Sequence, residues 1–191
     1  VEGYTDFTGL YQAGFTNCAA SLGTSLTATQ VSLARRFAPR VVINYDGDAA
    51  GRSAAQRAAA LCLEQAVAAS VVVLPGDSDP DSFIRKQGPE AYAQLLASSR
   101  SGLDYLIDMA VAGGKLNTPE AKARAVREVV SEVNKVPDAI LRSEYLKQAS
   151  QRFGLSEELL RKLAQEEPRA ASASGLHPDK SDFLFAEKRL L

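Results

Sequence analysis

Tyr45-Asp46-Gly47-Asp48 closes an apolar run that begins at Arg40, and it sets two carboxylates one residue apart. Negative charges that close disfavour each other's ionisation unless a cation or a donor compensates them. Two further stretches repeat the theme. Glu2 stands beside Gly3 near the start, and Asp79 and Asp81 sit in Gly76-Asp77-Ser78-Asp79-Pro80-Asp81. Hard oxygen donors around an open cleft suit Mg²⁺ or Mn²⁺. Each acid also has a purely structural use. Asp-Gly is a turn dipeptide, Asp48 can serve the N-terminus of a following helix, and Asp79 and Asp81 can be turn residues of a solvated loop.

What would bring these acids together is a parallel sheet. Residues 17–21, 40–45 and 70–74 are short apolar runs, the latter two rich in Val and Ile, of the kind buried on both faces of such a sheet. Helical patterns over Asp6–Ala13, Thr27–Phe37 and Gly51–Ala68 alternate with them, and Ala54, Ala58, Leu61 and Ala66 can share one face of the third. Strand and helix in alternation predict βαβ crossovers and an α/β layer. Ligands of such sheets bind beyond the carboxyl ends of the strands, where Glu2, Asp46, Asp48, Asp79 and Asp81 all fall. Gly3, Gly47 and Gly51 permit close backbone approach there.

Beyond Asp81 the pattern is helical throughout. Pro89, the Gly113-Gly114 pair, Thr118-Pro119-Glu120 and Ser156 punctuate successive helices, and Val126, Val129, Val130 and Val133 form an apolar stripe. Ser156, followed by Glu157 and Glu158, opens the last of them. Residues 166–180 lack apolar content and read as a linker containing His177, the one histidine. A last apolar segment, residues 181–191, follows.

The whole-chain quantities are those of an ordinary globular protein: 191 residues, 46% hydrophobic, 24% charged and a formal net charge of −1. A chain so nearly neutral has no global field for nucleic acid or an anionic membrane. Cys18 and Cys62 have neither metal-ligand spacing nor a neighbouring histidine, so reduced core thiols and no zinc site are expected. No run reaches the ~18 apolar residues of a membrane span and no basic-then-apolar leader is present, so a cytoplasmic protein without membrane contact is expected. The first residue, Val1, reads as the last of a strand, so the chain is expected to be a fragment with its first strand truncated.

VEGYTD, SLGTSLT, VVINYDGDAAGRSAA and LPGDSDPDSFIRKQGPEAY, in this order and spacing, closely resemble the catalytic core of bacterial DnaG-type DNA primases. YLKQASQRFGLSEELL resembles a later part of the same polymerase domain. The resemblance implies an α/β Toprim fold over residues 1–84, with a parallel sheet and flanking helices. An all-α helical subdomain of the RNA-polymerase domain would occupy 85–165, and 181–191 would begin the C-terminal helicase-binding domain. The family's zinc domain and the basic front of its polymerase domain have no counterpart here. Thr5 replaces a larger apolar residue of the family, and Asp77 adds a carboxylate that leaves the ligands among Asp77, Asp79 and Asp81 unassigned.

The activity implied is synthesis of short RNA primers for replication. An RNA 3′-hydroxyl attacks a ribonucleoside triphosphate on single-stranded DNA and releases pyrophosphate, a reaction governed by positioning and charge neutralisation. Two or more Mg²⁺ or Mn²⁺ ions, about 4 Å apart, would activate the hydroxyl and stabilise the leaving oxygens. The resemblance assigns Glu2, Asp46 and Asp48 as catalytic metal ligands, Glu2 also as acceptor of the hydroxyl proton, and Asp79 and Asp81 as the outer part of the cluster. Arg52, at the head of the helix after the acids, is placed to touch a triphosphate or else to be a solvated helix residue. Partners would be template, ribonucleoside triphosphates and, through the C-terminal domain, the replicative helicase, with the protein itself a monomer. The alternatives are a Toprim nuclease or topoisomerase, and a non-catalytic helicase-docking module.

Overall fold

The computed structural model describes residues 1–166 except Thr24 and residues 115–117. His177, most of the expected linker and the segment 181–191 lie outside the described residues. The elements run α1 (Tyr4–Gln12), α2 (Ala28–Arg35), β1 (Arg40–Asn44), α3 (Ala49–Glu64), β2 (Ala68–Val72), α4 (Pro80–Ala97) and β3 (Arg100–Ser101). Four helices then follow: α5 (Gly102–Gly114), α6 (Pro119–Asn134), α7 (Ala139–Phe153) and α8 (Glu157–Glu166).

The Val/Ile runs become β1 and β2, which pair in parallel with Arg40 opposite Ala68 and Asn44 opposite Val72. The crossover between them is α3, as βαβ chemistry requires. The two-residue β3 adds antiparallel on the far side of β2, with Ser70 opposite Ser101. No strand forms over residues 17–21. The Val1 amino group donates to the Ala19 carbonyl at 2.9 Å, and the amides of Ser21 and Leu22 donate to Val1 and Glu2 at 3.2 and 3.0 Å. That ladder touches only Val1 and Glu2, too short a partner to make the segment a strand.

Side-chain alternation on β1 separates two cores. Ile43 and Tyr45 enter the main core with Ala55, Ala58, Ala59, Cys62 and Leu63 of α3. Asn44, between them, points the other way and bonds Tyr92 of α4. There Leu10 of α1 packs with Ile84 and Tyr92 in a smaller cluster, flanked by Cys18. The buried face of α3 is thus centred on Ala55, Ala58, Ala59 and Cys62, while Ala54 and Leu61 are only partly buried. Ala66 is already past the helix end, at φ 52°. Small side chains on this face let α3 lie close to the sheet and to α5.

The main core continues into the helical half without a break. All four valines of the α6 stripe are buried, and Leu160 of α8 is fully enclosed. Burial of side chains this size contributes roughly 1.5–3 kcal/mol each relative to exposure. Caps define the helix starts: Thr118 Oγ1 accepts from Ala121 N at 3.2 Å, and Asp138 accepts from Ile140 N and Leu141 N at 2.8 Å. Gly154, left-handed at φ 61°, ends α7. The start expected near Pro89 appears as a kink inside α4, where Gly88 turns out of helical geometry. Cys18 and Cys62 are both free thiols, and burial pushes the Cys62 thiol up to about 11.

Candidate metal centre

Asp46 lies just past the end of β1 on the α1/α4 side of the sheet. Its Oδ1 is buried and accepts no hydrogen bond. Burial pushes its carboxyl up to about 6, and the negative charges of Asp6, Glu2, Asp79 and Asp48 push in the same direction. No cation offsets them among the charges acting on Asp46. Glu2 also has a buried Oε1 without a hydrogen-bond partner. Asp46 Oδ1, in a field of like charge, and Glu2 Oε1 thus both lack a hydrogen-bond partner, a lack that a positive ion or a donor can meet.

Asp48 and Asp79 have a second use. Asp48 caps α3, its Oδ1 accepting from Gly51 N at 2.7 Å, and Asp79 caps α4, accepting from Ser82 N at 2.6 Å. The two helix starts therefore fix both carboxylates at the sheet's carboxyl end. Asp81 is turned elsewhere: its carboxylate meets Arg85 at 2.9 Å, and its charge is not among those acting on Asp46. Asp77 is exposed. The Arg52 guanidinium donates to the Gly47 carbonyl, and the Tyr105 hydroxyl donates to the Arg52 carbonyl at 3.2 Å. Arg52 thus braces the Asp46–Asp48 turn while remaining exposed.

Asp6 is the acid the sequence reading passed over. It is 6% exposed, and its carboxylate accepts from Gly3 N at 3.1 Å and from the Asp81 amide. Burial nonetheless raises its pKa, those two bonds oppose the shift, and Asp79 adds to it. The helix starts at Tyr4 rather than Asp6, which puts Asp6 inside the first turn, one turn after Glu2. The Glu2/Asp6 spacing of four was the available signal.

Two glycines let the loops close on one another. A Cβ on Gly47 would stand 2.3 Å from the Gly76 carbonyl oxygen, and one on Gly51 would stand 2.2 Å from that of Asp46. Gly47 N also donates to the Ser78 carbonyl at 2.9 Å, lacing the turn to the loop that carries Asp79. Gly47→Ala is therefore expected to cost about 1–3 kcal/mol, by forcing backbone against backbone. Thermal melting checks it, and an unchanged melting temperature would show the contact to be loose.

Among the described residues, no three His, Cys, Asp or Glu side chains form a ready ligand set for a bare ion. The orphaned oxygens instead suit a cation that keeps part of its water shell, as Mg²⁺ commonly does. Among the same residues no helix is long and apolar enough to cross a membrane.

Two family models match the chain: "Toprim-like" over residues 1–84 and "DnaB-helicase binding domain of primase" over residues 103–158. The second falls in the helical half, within the stretch 85–165 read as part of the polymerase domain. The DNA primase of Clostridium acetobutylicum is 36% identical over 160 residues, covering 84% of this chain and 27% of that protein. A DNA primase domain from Pseudomonas aeruginosa has a similar structure, with a TM-score of 0.77 and 30% identity over 86% of this chain and 53% of that one. A DnaG primase catalytic domain bound to single-stranded DNA matches with a TM-score of 0.73 and 31% identity, covering 83% and 51%. The chain thus spans about a quarter of the length of the curated relative and about half of each solved domain.

Proposed function

Because this chain belongs to the bacterial DnaG-type DNA primase family, we propose that it supplies the metal-binding carboxylate centre for RNA primer synthesis on single-stranded DNA. The observation that carries this reading is the pair of orphaned oxygens, Glu2 Oε1 and Asp46 Oδ1, with Asp46 acted on by carboxylates alone. Glu2, Asp46 and Asp48 would hold Mg²⁺ or Mn²⁺, in two or more ions, with Asp79 completing the outer part. Asp81, already paired with Arg85, would join only through that outer part. Bound ions of this kind lower the pKa of an attacking hydroxyl and offset charge on the leaving pyrophosphate.

The chain's own residues supply position. The caps made by Asp48 and Asp79 hold their carboxylates still, and pre-set geometry is the larger share of catalysis in phosphoryl transfer. Asp46, held partly protonated near pH 6, gives up that proton readily when positive charge arrives. Glu2 is the group to accept the hydroxyl proton. Arg52, tied back to Gly47, presents its remaining N–H groups to triphosphate oxygens.

Partners follow from the relatives. Single-stranded DNA is the ligand of one solved neighbour, and the helicase-binding match over residues 103–158 supports α5–α7 as part of a helicase-docking surface. The resemblance also implies a helicase contact in the C-terminal domain that residues 181–191 would begin, outside the described residues. The proposed centre is tested by titrating Mn²⁺ into the chain by calorimetry. Wild type should bind, and Glu2→Gln and Asp46→Asn should each weaken binding by about tenfold or more. A wild-type chain that takes up no Mn²⁺ would overturn the reading.

A further inference from the structure

A third buried acceptor lacks a partner beside the two carboxylate oxygens: Oδ1 of Asn44. Asn44 is 2% exposed, and a neutral carboxamide there neither binds charge outright nor packs as well as a leucine would. The apolar cluster next to it, Leu10 with Ile84 and Tyr92, would accommodate an aliphatic side chain. A buried carbonyl with no donor costs free energy, so its retention calls for a ligand.

The amide is fixed in place. Its Nδ2 donates to the Tyr92 hydroxyl. Tyr92 is itself 2% exposed and wedged edge-on against Phe15, ring centres 4.8 Å apart, with Phe83 at 6.3 Å. With Nδ2 on the Tyr92 hydroxyl, Oδ1 is the end of the carboxamide left without a donor.

Alternation along β1 sets the direction. Ile43 and Tyr45 belong to the main core, so Asn44 faces the side of α1 and α4. Asp46, two residues on, falls on that same side, within the fields of Asp6 on α1 and Asp79 at the start of α4. The charge of Asp6 also reaches the Tyr92 hydroxyl that holds Asn44. Carboxylates and carboxamide therefore share one buried neighbourhood containing three free acceptors. A single water has two hydrogens and can serve two of them. The water shell of a divalent cation offers more donors, and stronger ones.

Resting on the carboxylate reading above, we propose that Asn44 is a further residue of the cation site, its Oδ1 accepting a hydrogen bond from the hydration shell of the ion held by Glu2 and Asp46. Asn44 acts through water, so it is a positioning residue. It selects a hydrated, hard divalent ion over a bare or thiophilic one.

Calorimetric Mn²⁺ titration of the full chain, paired with ¹H–¹⁵N spectra under Mg²⁺, tests this. Asn44→Leu should weaken Mn²⁺ binding about tenfold, the scale of losing an outer-shell partner. Asn44→Asp keeps an oxygen at the position and adds charge, so it should bind Mn²⁺ at least as tightly as wild type. The Asn44 side-chain amide should shift with Mg²⁺ in wild type and stay still in Asp46→Asn. Wild-type affinity in Asn44→Leu, with an unmoved Asn44 amide, would overturn the inference and leave the carboxylate site standing. Absence of any binding by wild type would overturn both. If Asn44→Leu does not fold, Asn44→Asp decides: binding at least as tight as wild type supports the proposal and weaker binding sinks it.

Discussion

Asp46→Asn, placed in a full-length primase, is expected to abolish primer synthesis, by at least about a thousandfold or ~4 kcal/mol of lost transition-state stabilisation. The same change should leave the metal-free protein as stable as before, or more so. The reason lies in the direction of the Asp46 shift. Its carboxyl ordinarily titrates at 3.8, and in the folded chain burial and four like charges push it up to about 6. Between those values the folded state keeps a proton that the unfolded state has released. Stability therefore falls as pH rises through that window, and the penalty is complete above about pH 6. Asparagine is neutral throughout and escapes it.

With chelator present, the two proteins should melt together near pH 4. The variant should gain on wild type from there to about pH 6 and hold a constant lead above it. Mn²⁺ should then reverse the order, since only the wild type keeps the carboxylate that the ion stabilises. Thermal melts across pH, with and without Mn²⁺, check each part. A variant that unfolds at every pH would mean that Asp46 serves the fold rather than the ion.

The same residues explain which features were legible in advance. Val41–Ile43 and Val71–Val72 announce their strands because a buried parallel sheet demands continuous apolar runs, and the Pro89 break surfaces as the Gly88 kink. Arg100–Ser101 carries no such pattern. It is a strand only because Ser70 and Val71 present a free edge to it. Residues 17–21 look like a strand but find only Val1 and Glu2 to pair with. Asp48 suits two uses by its sequence position, helix cap and ligand. The cap is real, and it does not compete with a ligand role, because holding one oxygen on Gly51 N aims the carboxylate. Asn44 carries no such signal, and Asp6 shows only its spacing of four from Glu2. The significance of both is burial beside other acceptors, which depends on how α1 and α4 pack.

The isolated 191-residue chain, finally, is expected to bind Mn²⁺ yet show no measurable affinity for single-stranded DNA at physiological salt, and to make no primers by itself. Affinity for a nucleic-acid backbone comes from cations that release condensed counterions, and this chain carries a formal net charge of −1. Several of its cations are already engaged by its own acids. Arg85 is paired with Asp81, Arg100 and Arg152 with Asp108, Arg161 with Glu157, and Lys135 with Glu132. Arg124 and Arg127 line a groove on α6 that they share with Glu120 and Glu128. A phosphate must displace a carboxylate to reach the paired cations, and the exchange gains little. The carboxylate centre would also repel the backbone until its ions are bound. Even loaded with metal, a polymerase must hold template and primer end in line with those ions, and positioning accounts for much of its rate. Fluorescence anisotropy with a labelled single strand should give a dissociation constant weaker than about 100 µM, at the weak end of non-specific binding. Micromolar affinity would mean that a template site lies on this half of the polymerase domain. Robust primer synthesis by the chain alone would mean that it carries the whole catalytic apparatus.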